Sequence, residues 1–301
     1  MKIITLLPSA TEIVCDLGLQ KSLIAVSHEC DFPIDVTLLP KITSSIISEN
    51  LSPIQIDAQV AKAVRNNDVI YKINGDLLSK LKPNVIITQG ICDVCAVDIG
   101  TVREAMFLLP EIVESEVQII SLSGKNFSGI LDDISKISVV TKTQNKAECL
   151  KQKLINDWQQ LRQKKLKIKP SVLMLEWPEP FYYGGHWVPE MVEVAGGFDV
   201  FGQAGMNSAC CDFAEIQEKD PDIIILIACG YSLEKNEKLA KDLLKDPLFK
   251  GLRAVTENRV WAMDSNSYCS RPSPRIVEGA KKLKAIFENN TDGVAGIKRI
   301  V

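Results

Sequence analysis

Histidine and cysteine side chains are the groups of this chain that are best suited to metal binding. The sequence has two histidines, His28 and His186, and nine cysteines. Cys30 lies close to His28, and Cys92 and Cys95 form a Cys-x-x-Cys pair. Because thiolates and imidazoles are good ligands for zinc and iron, these five side chains are candidate metal ligands, provided that the fold brings their loops together.

A lone Cys-x-x-Cys pair also has other interpretations. It is commonly a pair of thiols packed in a loop, and a redox role would require a thiolate activated by a helix N-terminus or a neighbouring cation. The segment Gly90–Ala96 contains neither lysine nor arginine. An odd number of cysteines, including the adjacent Cys210 and Cys211, fits poorly with paired disulfides, so we expect reduced thiols.

The segment Glu176–Trp187 carries the densest run of aromatic residues in a chain with only 6% aromatics. Aromatic faces suit a large flat ligand, and Gly184 and Gly185 permit the backbone to approach another group closely. The alternative is an aromatic loop that packs on its own lobe, stiffened by Pro178 and Pro180. Both readings stay open at the level of sequence.

Arginines near the C-terminus offer a second kind of binding group. The planar donors of Arg271 and Arg275 suit a ligand carboxylate or amide oxygen, although helix capping or pairing between lobes would use them equally well. Gly-rich phosphate loops, a Ser-centred nucleophile elbow and a His-Glu-x-x-His pattern are all absent from the sequence. We therefore predict no nucleotide and no catalytic residue.

These side chains must be positioned by alternating strands and helices. Short β-branched runs recur along both halves of the chain, with helical patterns between them, and this alternation indicates βαβ units and parallel sheets. The predicted strands are Ile3–Leu7, Leu23–Ser27, Val85–Thr88, Gln118–Leu122, Ser171–Leu175, Asp222–Ile227 and Arg259–Met263. The first four belong to one sheet and the last three to another.

One long helix is predicted between the halves. Apolar residues recur there at steps of three and four residues, which is the spacing of a helical stripe: Ala147, Leu150, Leu154, Trp158 and Leu161. The predicted fold class is α/β, with two Rossmann-like lobes joined by a single long helix and a ligand cleft between the lobes. The expected boundaries are 1–143 for the N-terminal lobe, 144–168 for the connecting helix and 169–301 for the C-terminal lobe.

Composition limits the partners of the chain. A net charge of -3 provides no basic footprint for nucleic acid, and no apolar run is long enough to cross a bilayer. The start Met1–Ser9 is too short for the apolar core of a signal peptide. We therefore expect a cytoplasmic protein as the chain is numbered, or a periplasmic one if a native N-terminus has been removed.

Five motifs, taken in order along the chain, carry a resemblance to a known family. They are Leu6–Glu12, Val26–Pro33, Leu81–Gln89, Glu193–Gly197 and Ser270–Arg275. Together they resemble the helix-linked (class III) periplasmic substrate-binding proteins, and especially the cobalamin-binding subgroup, over nearly the whole chain. The resemblance implies a ligand-binding protein rather than an enzyme, with a corrinoid as ligand in uptake or in intracellular salvage.

The resemblance also implies which residues touch the ligand, because loops at the carboxyl ends of strands line the cleft in this family. The matching positions are His28, Glu29, Cys30, Gln89, Trp177, Tyr183, Gly185, His186, Trp187, Tyr268 and Arg271. One acidic residue on each lobe would dock an ABC permease if the chain is exported, and Asp76 and Glu193 match those positions.

The predicted cleft departs from the family pattern. Cobalamin binders place aromatic residues at several cleft positions where this chain has Glu29, Gln89 and the thiols Cys30, Cys92 and Cys95. Two alternatives to a corrinoid therefore stay open. One is a binder of haem or an iron chelate, in which an imidazole approaches the metal of a tetrapyrrole. The other is a metal-dependent or thiol-dependent enzyme on the same two lobes.

Overall fold

The computed structural model describes residues 1–48, 51–66, 68–90, 100–102 and 117–301. The chain divides into two compact units. Unit 1 comprises Met1–Gly124 and Ser128–Gln152, and unit 2 comprises Lys125–Phe127 and Lys153–Val301. Both units combine helices with a sheet, which is parallel in unit 1 and mixed in unit 2, so the predicted α/β class is confirmed. The predicted lobe boundaries at 143 and 169 stay a prediction.

A four-stranded parallel sheet forms the centre of unit 1. The strands of this unit are β1 (Ile3–Thr5), β2 (Leu23–Val26), β3 (Thr43–Ser45), β4 (Tyr71–Ile73), β5 (Val85–Gln89) and β6 (Gln118–Leu122). The sheet has the order β2-β1-β5-β6, while β3 and β4 form a separate antiparallel pair. All five residues of β5 are buried, as expected for a strand covered on both faces.

Local sequence signals explain the helices around this sheet. The helices are α1 (Pro8–Asp16), α2 (Pro53–Asn66), α3 (Gly75–Leu81), α4 (Phe127–Thr141) and α5 (Gln144–Gln163), and short 3-10 turns span Gln20–Ser22 and Ile34–Leu38. Pro8 opens α1, where a missing backbone N–H costs nothing. The Asn74 side chain caps α3 by accepting a hydrogen bond from the Leu77 backbone N–H at 3.0 Å.

Unit 2 contains the longer sheet. Its strands are β7 (Ser171–Pro178), β8 (Phe181–Tyr183), β9 (Phe198–Asp199), β10 (Ala209–Cys210), β11 (Ile223–Leu226), β12 (Val260–Met263) and β13 (Ile297–Arg299). Strands β7, β11 and β12 are parallel neighbours in the order β10-β8-β7-β11-β12-β13, and β9 pairs with β7. Strands β8, β10 and β13 run antiparallel to their partners.

Six helices of unit 2 surround this sheet within the described residues. They are α6 (Val188–Ala195), α7 (Phe213–Lys219), α8 (Leu233–Leu243), α9 (Arg253–Thr256), α10 (Ser265–Tyr268) and α11 (Ile276–Phe287), with a 3-10 turn at Pro247–Gly251. Asp212 and Glu215 form a capping box that fixes the start of α7. The core against α7 and α8 contains Leu173, Leu226 and Phe249, all fully buried.

The same corner occurs once in each unit. Helix α3 ends at Leu81 and α7 ends at Lys219; the next residues, Lys82 and Asp220, have left-handed φ values of 48° and 37°. Each is followed by a proline, which lacks the backbone donor that a continuing helix would need. The chain then enters a buried strand in both units.

The predicted long helix is present as α5. Four residues of its apolar stripe are less than 9% exposed, namely Ala147, Leu154, Trp158 and Leu161. Residues up to Gln152 belong to unit 1 and those from Lys153 to unit 2. Across the ranges that the structure describes, no helix is both long enough and apolar enough to cross a membrane.

Candidate ligand-binding site

Two aromatic side chains lie at the carboxyl ends of the parallel strands of unit 2. Trp177 is near the end of β7 and Tyr231 follows β11, and their rings meet edge to face with centroids 5.6 Å apart. Both side chains are half-buried. Ligands of open α/β sheets bind at this edge, so the pair offers a partly exposed aromatic surface in the expected place.

Asn236 of α8 fixes the loops beside this pair. The side chain is fully buried; its Oδ1 accepts from the Ala228 backbone N–H and its Nδ2 donates to the Met263 carbonyl oxygen, both at 2.9 Å. A weaker bond of 3.4 Å joins Nδ2 to the Tyr231 carbonyl oxygen. One amide thus ties the loop after β11 to the end of β12.

Tyr268 and Arg271, both predicted to touch the ligand, lie after β12. The Tyr268 ring is half-buried and has Lys282 Nζ at 4.4 Å and the Arg275 guanidinium at 5.3 Å from its centroid. Arg271 is only 5% exposed and donates to Asn266 Oδ1 at 2.8 Å. Its guanidinium therefore already has a partner inside unit 2, whereas the half-buried Tyr268 ring lies against two cationic side chains.

Trp187 and Gly185 are engaged by the protein itself. Trp187 is 7% exposed, and its indole N–H donates to the Cys269 carbonyl oxygen at 2.7 Å. A Cβ at Gly185 would lie 2.3 Å from the backbone nitrogen of Ser208. The close backbone approach expected from the Gly-Gly pair thus occurs against the loop at Met206–Ser208.

His186 joins the same loop through its backbone. It has a left-handed φ of 55°, its N–H donates to the Met206 carbonyl oxygen at 2.5 Å, and its carbonyl oxygen accepts from Gly205 at 2.8 Å. Burial lowers the pKa of the imidazole, and the charge of Lys125 lowers it further, so the ring is neutral at pH 7. Its Nε2 is buried and has no hydrogen-bond partner among the described residues.

A cavity of about 510 Å³ opens in unit 2 beside this segment. Tyr183 and Phe201 form one wall, with their rings stacked at a centroid distance of 5.3 Å. The remaining lining residues are Lys125, Gln203, Gly205, Met206, Asn207, Ser208 and Ala209. Lys125 Nζ donates to Asn207 Oδ1 at 3.2 Å. The cavity therefore combines an aromatic wall with a cation and neutral polar groups.

A buried carboxyl group holds the aromatic wall in position. Asp199 is 9% exposed, and its Oδ1 accepts from the backbone N–H groups of Phe201 and Gly202 at 3.0 and 2.8 Å. Its Oδ2 is buried and has no hydrogen-bond partner within the described residues. Burial raises the pKa of this carboxyl to about 6, against the effect of the two backbone bonds.

In unit 1, His28 and Glu29 follow β2, as predicted. His28 Nδ1 lies 2.7 Å from Thr43 Oγ1, and the ring centroid is 5.8 Å from that of Tyr71. The Glu29 side chain is 45% exposed, with its carboxylate 4.0 Å from His28 Nε2. These two residues form a partly open polar surface on unit 1.

Cys30 and Gln89 of unit 1 are much less accessible. Cys30 is 2% exposed, and its Sγ lies 3.1 Å from Thr11 Oγ1, which in turn lies 2.6 Å from Thr5 Oγ1. Gln89 ends β5 and is 6% exposed. The Cys30 thiol is thus packed against hydroxyl groups, as a structural cysteine would be.

The predicted metal site gains no support from the described residues. Cys92 and Cys95 lie outside them, and His28, Cys30 and His186 are the three predicted ligands that can be placed. Within the described ranges no group of three or more histidine, cysteine, aspartate or glutamate side chains is arranged to hold a metal ion. The role of the Cys-x-x-Cys pair stays a prediction.

Both predicted docking acids are exposed. Asp76 lies in the first turn of α3 in unit 1, and Glu193 lies in the last turn of α6 in unit 2. An exposed carboxylate on a helix is an ordinary feature, so this placement permits the docking role without testing it.

The sequence reasoning missed the cavity and the residues that line it. Lys125 precedes α4, and Phe201, Gln203 and Asn207 lie in the long loop after β9. The glycines of this loop, Gly202 and Gly205, are a sequence signal, and they lie a few residues after the Gly196-Gly197 motif. Nothing in the sequence, however, indicates that Lys125 joins a loop so far along the chain.

Comparisons with known proteins agree with this architecture. The sequence profile of the family described as periplasmic binding protein matches residues 3–267. A vitamin B12-binding protein of Vibrio cholerae serotype O1 is 22% identical over 289 residues, covering 94% of this chain and 87% of the relative.

Two solved structures illustrate the fold. A possible iron-binding (periplasmic solute-binding) protein of Staphylococcus epidermidis superposes with a TM-score of 0.69 at 22% identity, over 95% of this chain and 98% of the other. The apo periplasmic haem-binding protein of Roseiflexus sp. RS-1 gives 0.70 at 17% identity, over 96% and 98%. The similar proteins are thus ligand-binding proteins, described as binding different ligands.

Proposed function

Because the chain belongs to the periplasmic binding protein family, we propose that it is a substrate-binding protein for a corrinoid. The observation that carries this choice of ligand is the similarity to a vitamin B12-binding protein over 94% of the chain. The proposal names a ligand class and no reaction, since the family consists of ligand-binding proteins.

Half-buried aromatic side chains of unit 2 support a macrocyclic ligand. Trp177 and Tyr231 meet edge to face at the carboxyl ends of β7 and β11, and Tyr268 is half-buried after β12. Flat conjugated ligands gain from such faces beyond simple burial of apolar area. In unit 1, we propose that His28 and Glu29 contribute polar contacts, since both are accessible after β2. Cys30, Gln89, Trp187 and Arg271 would act mainly by supporting these groups.

A haem or an iron chelate is the second candidate ligand. The Roseiflexus structure is described as haem-binding and the Staphylococcus structure as possibly iron-binding, and both superpose over nearly the whole chain. The partly accessible imidazole of His28 and the neutral imidazole of His186 are the type of ligand that a haem iron accepts. None of the described residues favours a metal-dependent or thiol-dependent enzyme.

We propose uptake rather than intracellular salvage, with an ABC permease as partner. The family is one of periplasmic binding proteins, and exposed Asp76 and Glu193 are available for docking. Fractionation of the native host, with N-terminal sequencing of the purified protein, tests this choice. Recovery of the protein only from the cytoplasmic fraction would favour salvage instead.

Titration of the purified protein tests the ligand. Cyanocobalamin, dicyanocobinamide, haemin and a ferric chelate are each titrated by calorimetry and by tryptophan fluorescence. We expect one corrinoid per chain with micromolar or tighter affinity, about -8 kcal/mol or better. Quenching should fall strongly in Trp177→Phe and persist in Trp261→Phe, because Trp261 is 3% exposed. Binding of haemin without any corrinoid would replace the first candidate by the second.

A further inference from the structure

We propose that the cavity of unit 2 is a carboxylate-binding subsite, and that Lys125 selects ligands that carry a free carboxylate on an apolar ring. This inference rests on the proposed function, because it concerns the periphery of the same ligand. It predicts a preference for a corrinoid acid, such as cobyric acid, over the fully amidated cobinamide.

The cavity of unit 2 is positively charged. Lys125 is the only charged side chain among the described residues that line it. Its Nζ bonds to the neutral amide oxygen of Asn207 at 3.2 Å, and none of the described acidic side chains lies within ion-pairing distance. A partly buried cation without a counter-ion favours an anion, and a charge-assisted bond to a carboxylate is stronger than a bond to an amide.

Lys125 lies next to a helix N-terminus, which is an unfavourable place for a cation. It lies two residues before Phe127, where the 15-residue helix α4 begins. The positive end of a helix dipole disfavours a cation there, so local stability does not explain the lysine. Glu190 Oε2 accepts from the Phe127 backbone N–H at 2.8 Å, and this carboxylate satisfies the helix end without pairing with Lys125. The cavity therefore keeps its positive character.

Asn207 links the cation to the predicted ligand-binding segment. Its side-chain oxygen accepts from Lys125, and the same amide raises the pKa of the neighbouring His186 ring against the larger, lowering effect of burial. The imidazole is neutral, so it adds a polar contact without a second charge. The Gly185 backbone N–H donates to Ser208 Oγ at 3.1 Å, which holds the opposite side of the loop. Lys125 is thus oriented by uncharged groups that a ligand carboxylate can replace.

The aromatic wall supplies the apolar half of the specificity. The Tyr183 and Phe201 rings are parallel to within 16°, and the Met206 side chain beside them is 61% exposed. Such a surface favours the alkyl part of a short side chain on a macrocycle while the carboxylate reaches Lys125. A small inorganic anion would gain only the charge contact.

Calorimetric titration with a matched pair of ligands tests the proposal. Wild-type protein is titrated with dicyanocobyric acid and with dicyanocobinamide, which differ at one side chain: a free carboxylate in the acid and an aminopropanol amide in the cobinamide. We expect about tenfold tighter binding of the acid, the usual scale for one charge-assisted contact. Lys125→Gln should remove this preference, and Lys125→Arg should retain most of it. Lys241→Gln is the control, because that lysine is 59% exposed and pairs with Glu237 on α8.

The outcomes separate the subsite from the proposed function. Equal binding of both corrinoids, or an unchanged preference in Lys125→Gln with an unchanged melting temperature, overturns the subsite and leaves the corrinoid proposal intact. If neither corrinoid binds but haemin does, the proposed ligand is wrong. The subsite is then judged by haemin, whose affinity should fall about tenfold in Lys125→Gln because haemin carries carboxylates. Unchanged haemin affinity overturns it.

Discussion

Trp187 donates its indole N–H to the carbonyl oxygen of Cys269 at 2.7 Å, across 82 positions of the sequence. This bond joins the start of α6 to the end of α10, and the indole is 7% exposed. Trp187→Phe removes the donor and part of the buried ring, so we expect a loss of roughly 1–3 kcal/mol in the free energy of unfolding. Urea denaturation measures it.

The matched variant is Trp177→Phe, which should affect ligand affinity more than stability. Trp177 is half-buried beside Tyr231, so its replacement should change stability little and ligand affinity more. If Trp187→Phe weakened ligand binding as strongly as Trp177→Phe at unchanged stability, Trp187 would be a ligand contact, as the sequence suggested.

Asp199 should make the stability of unit 2 depend on pH. Burial raises the pKa of its carboxyl from 3.8 to about 6 in the folded state, so folding favours the protonated form. The contribution is fully present below pH 3.8 and is lost as the pH rises through about 6. Between pH 5 and 7.5 this amounts to roughly 1 kcal/mol of lost stability.

Asp199→Asn isolates that contribution. The amide keeps an oxygen for the backbone N–H groups of Phe201 and Gly202 and does not titrate. The variant should therefore gain stability relative to wild type at pH 7.5 and lose that advantage at pH 5, as measured by urea denaturation at both values. A pH-independent difference would mean that Asp199 does not titrate in this range.

Asn236 should be among the most sensitive positions of unit 2. Asn236→Leu keeps the size of the side chain but leaves the Ala228 N–H and the Met263 carbonyl oxygen without their partner. We expect a loss of about 2–4 kcal/mol, because both groups are buried. Lys238→Ala on the exposed face of the same helix is the control and should change stability by less than about 0.5 kcal/mol.

Reversal of the docking charges should separate transport from binding. We expect Asp76→Lys and Glu193→Lys to lower uptake of labelled cyanocobalamin by host cells, because rim charges act on encounter and orientation. Both acids are exposed, so ligand affinity in the purified variants should stay within about twofold of wild type. Parallel loss of affinity would place them near the ligand instead.

The sequence predicted the long helix and seven of the thirteen described strands, because their signals are local; the short strands β3, β4, β8, β9, β10 and β13 were not predicted. The apolar runs of β5, β11 and β12 and the stripe of α5 are recognised by residue spacing, and a proline precedes both β5 and β11. The roles of site residues were harder to predict, because the type of a residue does not reveal which group it contacts in the fold. Gly185 signalled a close backbone approach correctly, but its neighbour is the loop at Ser208. Trp187 is buried and bonded to Cys269, which lies 82 residues later in the sequence.

The close approach at Gly185 gives a criterion for sorting related sequences. Any side chain at Gly185 would collide with the backbone of Asn207 and Ser208. Backbone cannot move aside as the end of a flexible side chain can. A homologous chain with another residue at this position must therefore route the loop after β9 differently. Such a chain should also lack the hydrogen bond between Lys125 and Asn207. Relatives that keep this bond should have glycine at the position of Gly185.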